Sequence, residues 1–301
     1  AGASGNTDTT GHGGMPAHMH VVPDLDQVVE LDAIFDHRVV QCAPVNAGVG
    51  ANFHIVANAN RTELLYLGQA EPPTAEEQVA EYSKLLAAFA GKRVLVRVLD
   101  LDFDKPLPFL KEAGVGKYAN RGLQVLLANP EVLDAQLNAL ARAQAANPKT
   151  ELWVMAPMVL SVAEAQQFAK LARAAGLKKV GVMIEVPEVT EAGVIEGIID
   201  AVDFLSIGTN DLTHYALGKS RHVAGDGAVA GTITLAETRK PEVFDLITRV
   251  IAAAKAAGKP VGICGESASD PESAKLFIKL GVDSLSASSA LLPQLKAALL
   301  A

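Results

Sequence analysis

Short, near-continuous apolar runs recur along this 301-residue chain, separated by segments with a helical hydrophobic period. There are eight: RVVQCAP, FHIVAN, RVLVRVLD, ELWVMAPM, VGVMIEV, VDFLSIG, PVGICGE and DSLSAS. Several carry Val, Ile and Leu at successive rather than alternating positions. A strand of that kind has both faces covered, as in a parallel sheet lying between layers. The intervening segments supply the cover. Residues 74–91 (TAEEQVAEYSKLLAAFAG) open on Thr74, place Glu77 three positions later and close on Gly91, the marks of a capped helix. Residues 161–176, 241–258 and 270–281 repeat the design, each ending in glycine and the last two starting beside proline. This alternation predicts an α/β fold, a (β/α)8 TIM-type barrel. Too few residues separate RVVQCAP from FHIVAN for a full parallel crossover, so the first βα unit is expected to be shortened.

Half the chain is hydrophobic but only 5% is aromatic, so aliphatic side chains must build the core. The formal net charge is −8 and no Lys/Arg-rich run occurs, so a nucleic-acid partner is not expected. An anionic ligand would need a local cluster of cations. The two cysteines, Cys42 and Cys264, lie far apart and form no disulfide framework, which fits a reducing cytoplasm. No apolar run has the length of a membrane span. Residues 1–24 are polar and glycine-rich without an apolar stretch, so they read as a flexible tail rather than a signal peptide. The expected organisation is a tail over residues 1–35 and a barrel domain over 36–301. Residues 218–239, Gly/Ala-rich and irregular, are expected to form a long loop over the active face.

Barrel enzymes place reactive groups at the C-terminal ends of their strands. Arg97 ends RVLVR, Glu185 ends VGVMIE, Asn210-Asp211 follows VDFLSIG, and Cys264 ends PVGIC. Two carboxylates at one mouth suit Mg²⁺ or Mn²⁺, octahedral ions that take waters and substrate oxygens as further ligands. Arginine matches phosphate oxygens bidentately. A thiol is mostly protonated at neutral pH, so it can act as a general acid towards carbon. Singly, each residue has an ordinary use: a cap or surface acid for Glu185 and Asp211, a small buried hydrophobe for Cys264, a structural ion pair for Arg97. His214 reads best as a helix-surface residue, Cys42 as core, and His12, His18 and His20 as part of the solvated tail. The functional reading rests on the strand-end residues occurring together.

The runs SIGTNDLTHYAL and GICGE resemble the phosphoenolpyruvate (PEP)-binding barrel of the PEP-utilising enzymes, most closely the enzyme I type of the sugar phosphotransferase system. NRTELLYLGQAEPPTAEEQVAEY, RVLVRVLDLDFDK, LWVMAPMVLSVAEA, GVMIEVPEV and SLSASSALLPQLK are similar to further family segments, in the same order, over about residues 55–300. The resemblance implies that Glu185 and Asp211 hold Mg²⁺, with Mn²⁺ as a substitute. It implies that Arg61, Arg97, Arg221 and Asn210 bind the phosphate and carboxylate of PEP, that Lys105 supports the phosphate, and that Arg121 stands where the family has another active-site arginine. Cys264 would protonate the pyruvate enolate once the phosphoryl group has passed to a histidine, and the barrels would pair as homodimers. The family's acceptor histidine lies in a Thr-Ser-His context that is absent here, so a separate phosphohistidine domain or carrier acting in trans is expected. Asp102-Phe103 replaces the family's Gly-Gly, which puts bulk and negative charge where backbone should approach phosphate. Two alternatives stay open: a non-catalytic PEP-binding regulatory barrel, and a metal-dependent lyase or hydrolase acting on pyruvate enolates.

Overall fold

The computed structural model describes residues 65–66, 69–101, 107–114, 116–219, 235–287 and 289–300. Six of the eight expected strands lie there: β1 (Arg93–Arg97), β2 (Glu151–Ala156), β3 (Val180–Ile184), β4 (Phe204–Gly208), β5 (Val261–Cys264) and β6 (Ser284–Leu285). RVVQCAP, FHIVAN and the expected tail fall outside the described residues. The six strands form one sheet in the order β1-β2-β3-β4-β5-β6, and every pair is parallel. Each strand pairs with the next in sequence, the winding of a barrel wall; an open doubly wound sheet reverses its strand order instead. The architecture is therefore α/β, with a six-stranded parallel sheet.

The helices form where caps and periodicity place them. Helix α1 (Ala75–Ala88) starts at Thr74, whose hydroxyl accepts the Glu77 N–H while Glu77 returns a bond to the Thr74 N–H. After β1 come α2 (Gly122–Ala128) and α3 (Pro130–Ala146). Helix α4 (Val162–Ala174) starts at Ser161, α5 (Val194–Ala201) follows β3, and α6 (Thr209–Leu217) springs directly from the end of β4. Helices α7 (Pro241–Ala256), α8 (Pro271–Lys279) and α9 (Leu292–Leu300) follow. Of the segment expected to be irregular, residues 220–234 are outside the described residues, while Leu235–Arg239 is a turn of 3-10 helix.

The strands are buried throughout β3 and β4, as their unbroken apolar runs require. One face packs on the helices through a cluster that includes Val94, Val96, Val154, Val182, Ile184, Leu205 and Ile207. The other face carries a smaller cluster: Leu95, Trp153, Met155, Met183 and Phe204, with Cys264 against it. Side chains alternate along a strand with period two. Two residues beyond Leu95 is Arg97, two beyond Met183 is Glu185, and four beyond Phe204 is Gly208. This smaller apolar cluster is thus the floor on which the strand-end polar groups stand. At the opposite end the Arg93 guanidinium lies 3.8 Å from the Trp153 ring centroid, a cation–π contact that caps the cluster. No helix among the described residues is long and apolar enough to cross a membrane.

Candidate functional site

Strand register brings the expected residues together. Ile184 is opposite Ile207 and Gly208 is opposite Cys264, so Glu185, Gly208 and Cys264 occupy neighbouring strand ends. The next residues form the first turn of α6, which carries Asn210 and Asp211. An acidic side chain is favoured there by the partial positive charge of a helix N-terminus. Glu185 and Asp211 are both buried. Arg97, at the end of β1, pairs with Asp100 at 3.0 Å.

Gly208 makes room for Glu185. A Cβ at position 208 would stand 2.5 Å from Glu185 Oε1 and 2.7 Å from its Cγ. Gly265 does the same for the α6 start: with φ of +103°, its Cβ would meet Thr209 Oγ1 at 2.4 Å and Asn210 Oδ1 at 2.8 Å. The close approach lets the Glu266 N–H donate to Asn210 Oδ1 (3.1 Å), and Thr209 Oγ1 donate to the Cys264 carbonyl (2.8 Å). Ser267 adds a bond to Thr209 Oγ1 at 2.7 Å. The loops after β4 and β5 are therefore laced together at the mouth.

Arg121 comes from far away in sequence. Asn120 (φ +56°) and Gly122 (φ +53°) both have left-handed backbone and set Arg121 in a tight turn just before α2. Asn120 is anchored by its side chain, which accepts the Ala113 N–H at 2.8 Å. Arg121 Nη1 donates to Asp211 Oδ1 at 3.0 Å and to the Tyr215 hydroxyl at 2.8 Å, inside the protein. A Cβ on Gly122 would come 2.3 Å from Met158 Cβ. Met158 has a left-handed φ of +44°, and its N–H donates to Glu185 Oε2 at 2.8 Å. One backbone residue thus seats the Glu185 carboxylate and abuts the Arg121 turn. Tyr215 in turn meets the Tyr118 ring edge-on, centroids 4.8 Å apart, and Tyr118 donates to Glu188 at 2.6 Å. His214 is partly buried against Tyr215, with centroids 4.7 Å apart.

The electrostatics follow from crowding acids in a dry place. Burial pushes the Glu185 carboxyl up to about 8, the charges of Asp211 and Asp100 push the same way, and Arg97 and the Met158 N–H oppose them. Asp211, by contrast, has the Arg121 guanidinium against it at 3.0 Å. Burial likewise pushes the Cys264 thiol up to about 11, Ser206 pulls it down by hydrogen bonding, and Glu185 raises it further. At neutral pH this cysteine is a thiol, able to give a proton.

No group of three or more His, Cys, Asp and Glu side chains arranged for a metal occurs among the described residues. Two buried carboxylates, one holding a proton that a cation would displace, nonetheless fit Mg²⁺, which commonly takes one or two protein carboxylates and completes its shell with substrate oxygens and water. A zinc site would need more protein ligands. Arg61, Lys105, Arg221 and the Asp102-Phe103 pair lie outside the described residues. Sequence reasoning missed Met158, Gly208 and Tyr215. Gly208 and Tyr215 flank the Asn210-Asp211 pair closely and were open to notice; nothing in the sequence singles out Met158, which acts through its backbone.

Fold and site together define an α/β domain of parallel strands with an ionisable cluster at their C-terminal ends. The chain belongs to the family described as PEP-utilising enzyme, PEP-binding domain, whose sequence model matches residues 58–301. Among curated proteins it is 44% identical over 243 residues to a phosphoenolpyruvate-protein phosphotransferase of Streptomyces coelicolor, covering 79% of this chain and 42% of that protein. Proteins of the same name from Haloferax volcanii and Listeria monocytogenes are each 36% identical, over 79% and 81% of this chain and 43% and 44% of their own lengths. The chain thus spans less than half the length of these relatives.

Proposed function

We propose that this domain binds PEP at the C-terminal mouth of its sheet and takes part in Mg²⁺-dependent phosphoryl transfer from PEP to a histidine supplied in trans. The observation that carries the reading is that Glu185 and Cys264 at neighbouring strand ends, Asn210 and Asp211 in the turn that follows β4, and Arg121 bonded to Asp211 come together in a chain of the PEP-binding family. Glu185 and Asp211 would hold the Mg²⁺, whose contribution is to neutralise charge on the oxygens of PEP. Arg97, paired with Asp100 at the end of β1, and Arg121, bonded to Asp211, would supply positive charge beside the anion, and Arg61, Arg221 and Lys105 are assigned to PEP by resemblance to the family. Asn210, whose Oδ1 accepts the Glu266 N–H, would offer its amide nitrogen to the ligand. Phosphoryl transfer asks mainly for positioning and charge stabilisation, which this set supplies. When the phosphoryl group leaves, the enolate needs a proton at carbon, and the Cys264 thiol holds one. We further propose that the sheet closes as a (β/α)8 barrel with the two upstream runs, that the domain pairs as a homodimer, and that it works in the cytoplasm with a separate phosphohistidine domain or carrier.

Asp102-Phe103, in place of two glycines beside the phosphate, favours one second reading, a barrel that binds PEP without turning it over. The two separate by NMR in deuterated water with PEP and Mg²⁺, alone and then with a phosphohistidine domain. Pyruvate formed only with that domain supports transfer. PEP that shifts the protein spectrum yet stays intact supports binding alone. Pyruvate formed with no acceptor overturns both and indicates a lyase or hydrolase. Cys264→Ala should bind PEP with affinity within about twofold of the parent and lose enolate protonation; lost binding would refute the role given to the thiol.

A further inference from the structure

We propose that Ser206 is a positioning residue for Cys264: its hydroxyl holds the sulfur and stabilises the negative charge that develops there as the proton passes to carbon. The proposal rests on the reading of Cys264 as the acid for the enolate. Ser206 lies in β4, two residues before Gly208, and is 3% exposed. Its hydroxyl donates to Cys264 Sγ at 3.6 Å, and Cys264 Sγ donates to the Ile207 carbonyl at 3.5 Å.

The two bonds on sulfur have different fates during proton delivery. The S–H must swing away from the Ile207 carbonyl to reach a substrate carbon, so that bond is given up. The Ser206 bond uses a sulfur lone pair and persists. In the step itself the S–H bond breaks and its electron pair stays on sulfur. The enolate π pair forms the new C–H bond, and the enolate oxygen becomes the ketone carbonyl. Sulfur passes from neutral to anionic, so a weak O–H···S contact becomes a charge-assisted one. An interaction that strengthens on the way to the transition state raises rate and leaves ground-state affinity alone. The charged groups acting on the sulfur are Glu185 from the end of β3, Asp211 from α6 and Arg97 from β1. The two acids oppose the anion and the arginine favours it. Ser206 is the uncharged donor bonded to the sulfur itself.

The test is peptide-resolved alkylation of Cys264 by iodoacetamide across pH, which reads this thiol separately from Cys42 and needs no substrate. Ser206→Ala should move the midpoint of the profile up by about one pH unit, roughly a tenfold loss of rate below it. Ser206→Thr, which keeps the hydroxyl, should restore the parent profile. An unchanged profile in S206A, or an equal shift in S206T, overturns the proposal. If Ala does not fold, the Thr and Val variants, alike in shape and differing in the hydroxyl, carry the same comparison. In the PEP assay S206A should slow enolate protonation at least tenfold with PEP affinity within about twofold. Protonation lost in Cys264→Ala but normal in S206A fails the Ser206 assignment alone. Protonation intact in Cys264→Ala fails the reading of the thiol, and this proposal with it.

Discussion

Replacing Glu185 by Gln should stabilise the ligand-free protein, increasingly so as pH rises. The buried carboxyl keeps its proton up to about pH 8, whereas its ordinary value is 4.5. Between those values the folded state binds a proton that the unfolded chain has released, so stability falls as pH rises through the window. A rise from 4.5 to about 8, at roughly 1.4 kcal/mol per pH unit, amounts to about 5 kcal/mol of lost stability above pH 8. Glutamine carries no charge, keeps nearly the same shape and retains an oxygen for the Met158 N–H. The variant should therefore differ from the parent by less than about 1 kcal/mol at pH 5 and exceed it by ~3–5 kcal/mol at pH 9. Urea unfolding in chelator, followed by fluorescence of the single, buried Trp153, measures the gap. A gap that does not grow with pH, or a variant less stable than the parent at pH 9, would refute the argument that Glu185 is a destabilising buried acid. The same substitution should abolish Mg²⁺-dependent PEP binding, so position 185 would give up stability for function.

Gly208→Ala should weaken Mg²⁺-dependent PEP binding more than tenfold by calorimetry, because the new methyl would occupy the space of Glu185 Oε1 and Cγ; its cost in stability should be only ~1–3 kcal/mol. Arg121→Met should destabilise by about 3–5 kcal/mol in urea unfolding at pH 7, since it leaves Asp211 buried without its guanidinium. Asn129→Ala should cost ~2–4 kcal/mol with PEP affinity reduced as well: the side chain is fully buried and bonds Lys111 N–H, Lys111 O and Val125 O, tying α2 to the segment that leads to the Arg121 turn. Thr74→Ala, by contrast, removes an exposed cap whose side-chain bonds stay within the first turn of its own helix and should lower stability by ~0.5–2 kcal/mol while leaving PEP binding unchanged.

Much of the fold was legible in the chain because its rules are local. A short β-branched run such as VGVMI suits a strand with both faces covered, and Thr74, Ser161, Gly91, Gly176, Gly258 and Gly281 mark helix boundaries through backbone chemistry that acts over a few residues. The four helices read from caps and period all form where expected. Helix α3 ends at Asn147 rather than at a glycine, so it lacks the stop signal that those four share. The strand-end placement of Arg97, Glu185, Asp211 and Cys264 was readable for the same local reason: the end of an apolar run is the end of a strand.

What the sequence by itself determined is the alternation of strands and helices, their order, and which polar residues would stand at strand ends. Tertiary structure alone decided which of those residues meet and what sets their charge. Arg121 reaches Asp211 across ninety positions through a turn with two left-handed residues. Glu185 is held by the backbone of Met158, where the side chain's identity plays no part in the bond. Whether Glu185 carries a proton depends on how deeply it is buried and on how close Asp211 and Asp100 lie. These are matters of distance and solvent exclusion, which arise only when the strands are in register and the Glu185 and Asp211 carboxylates are buried.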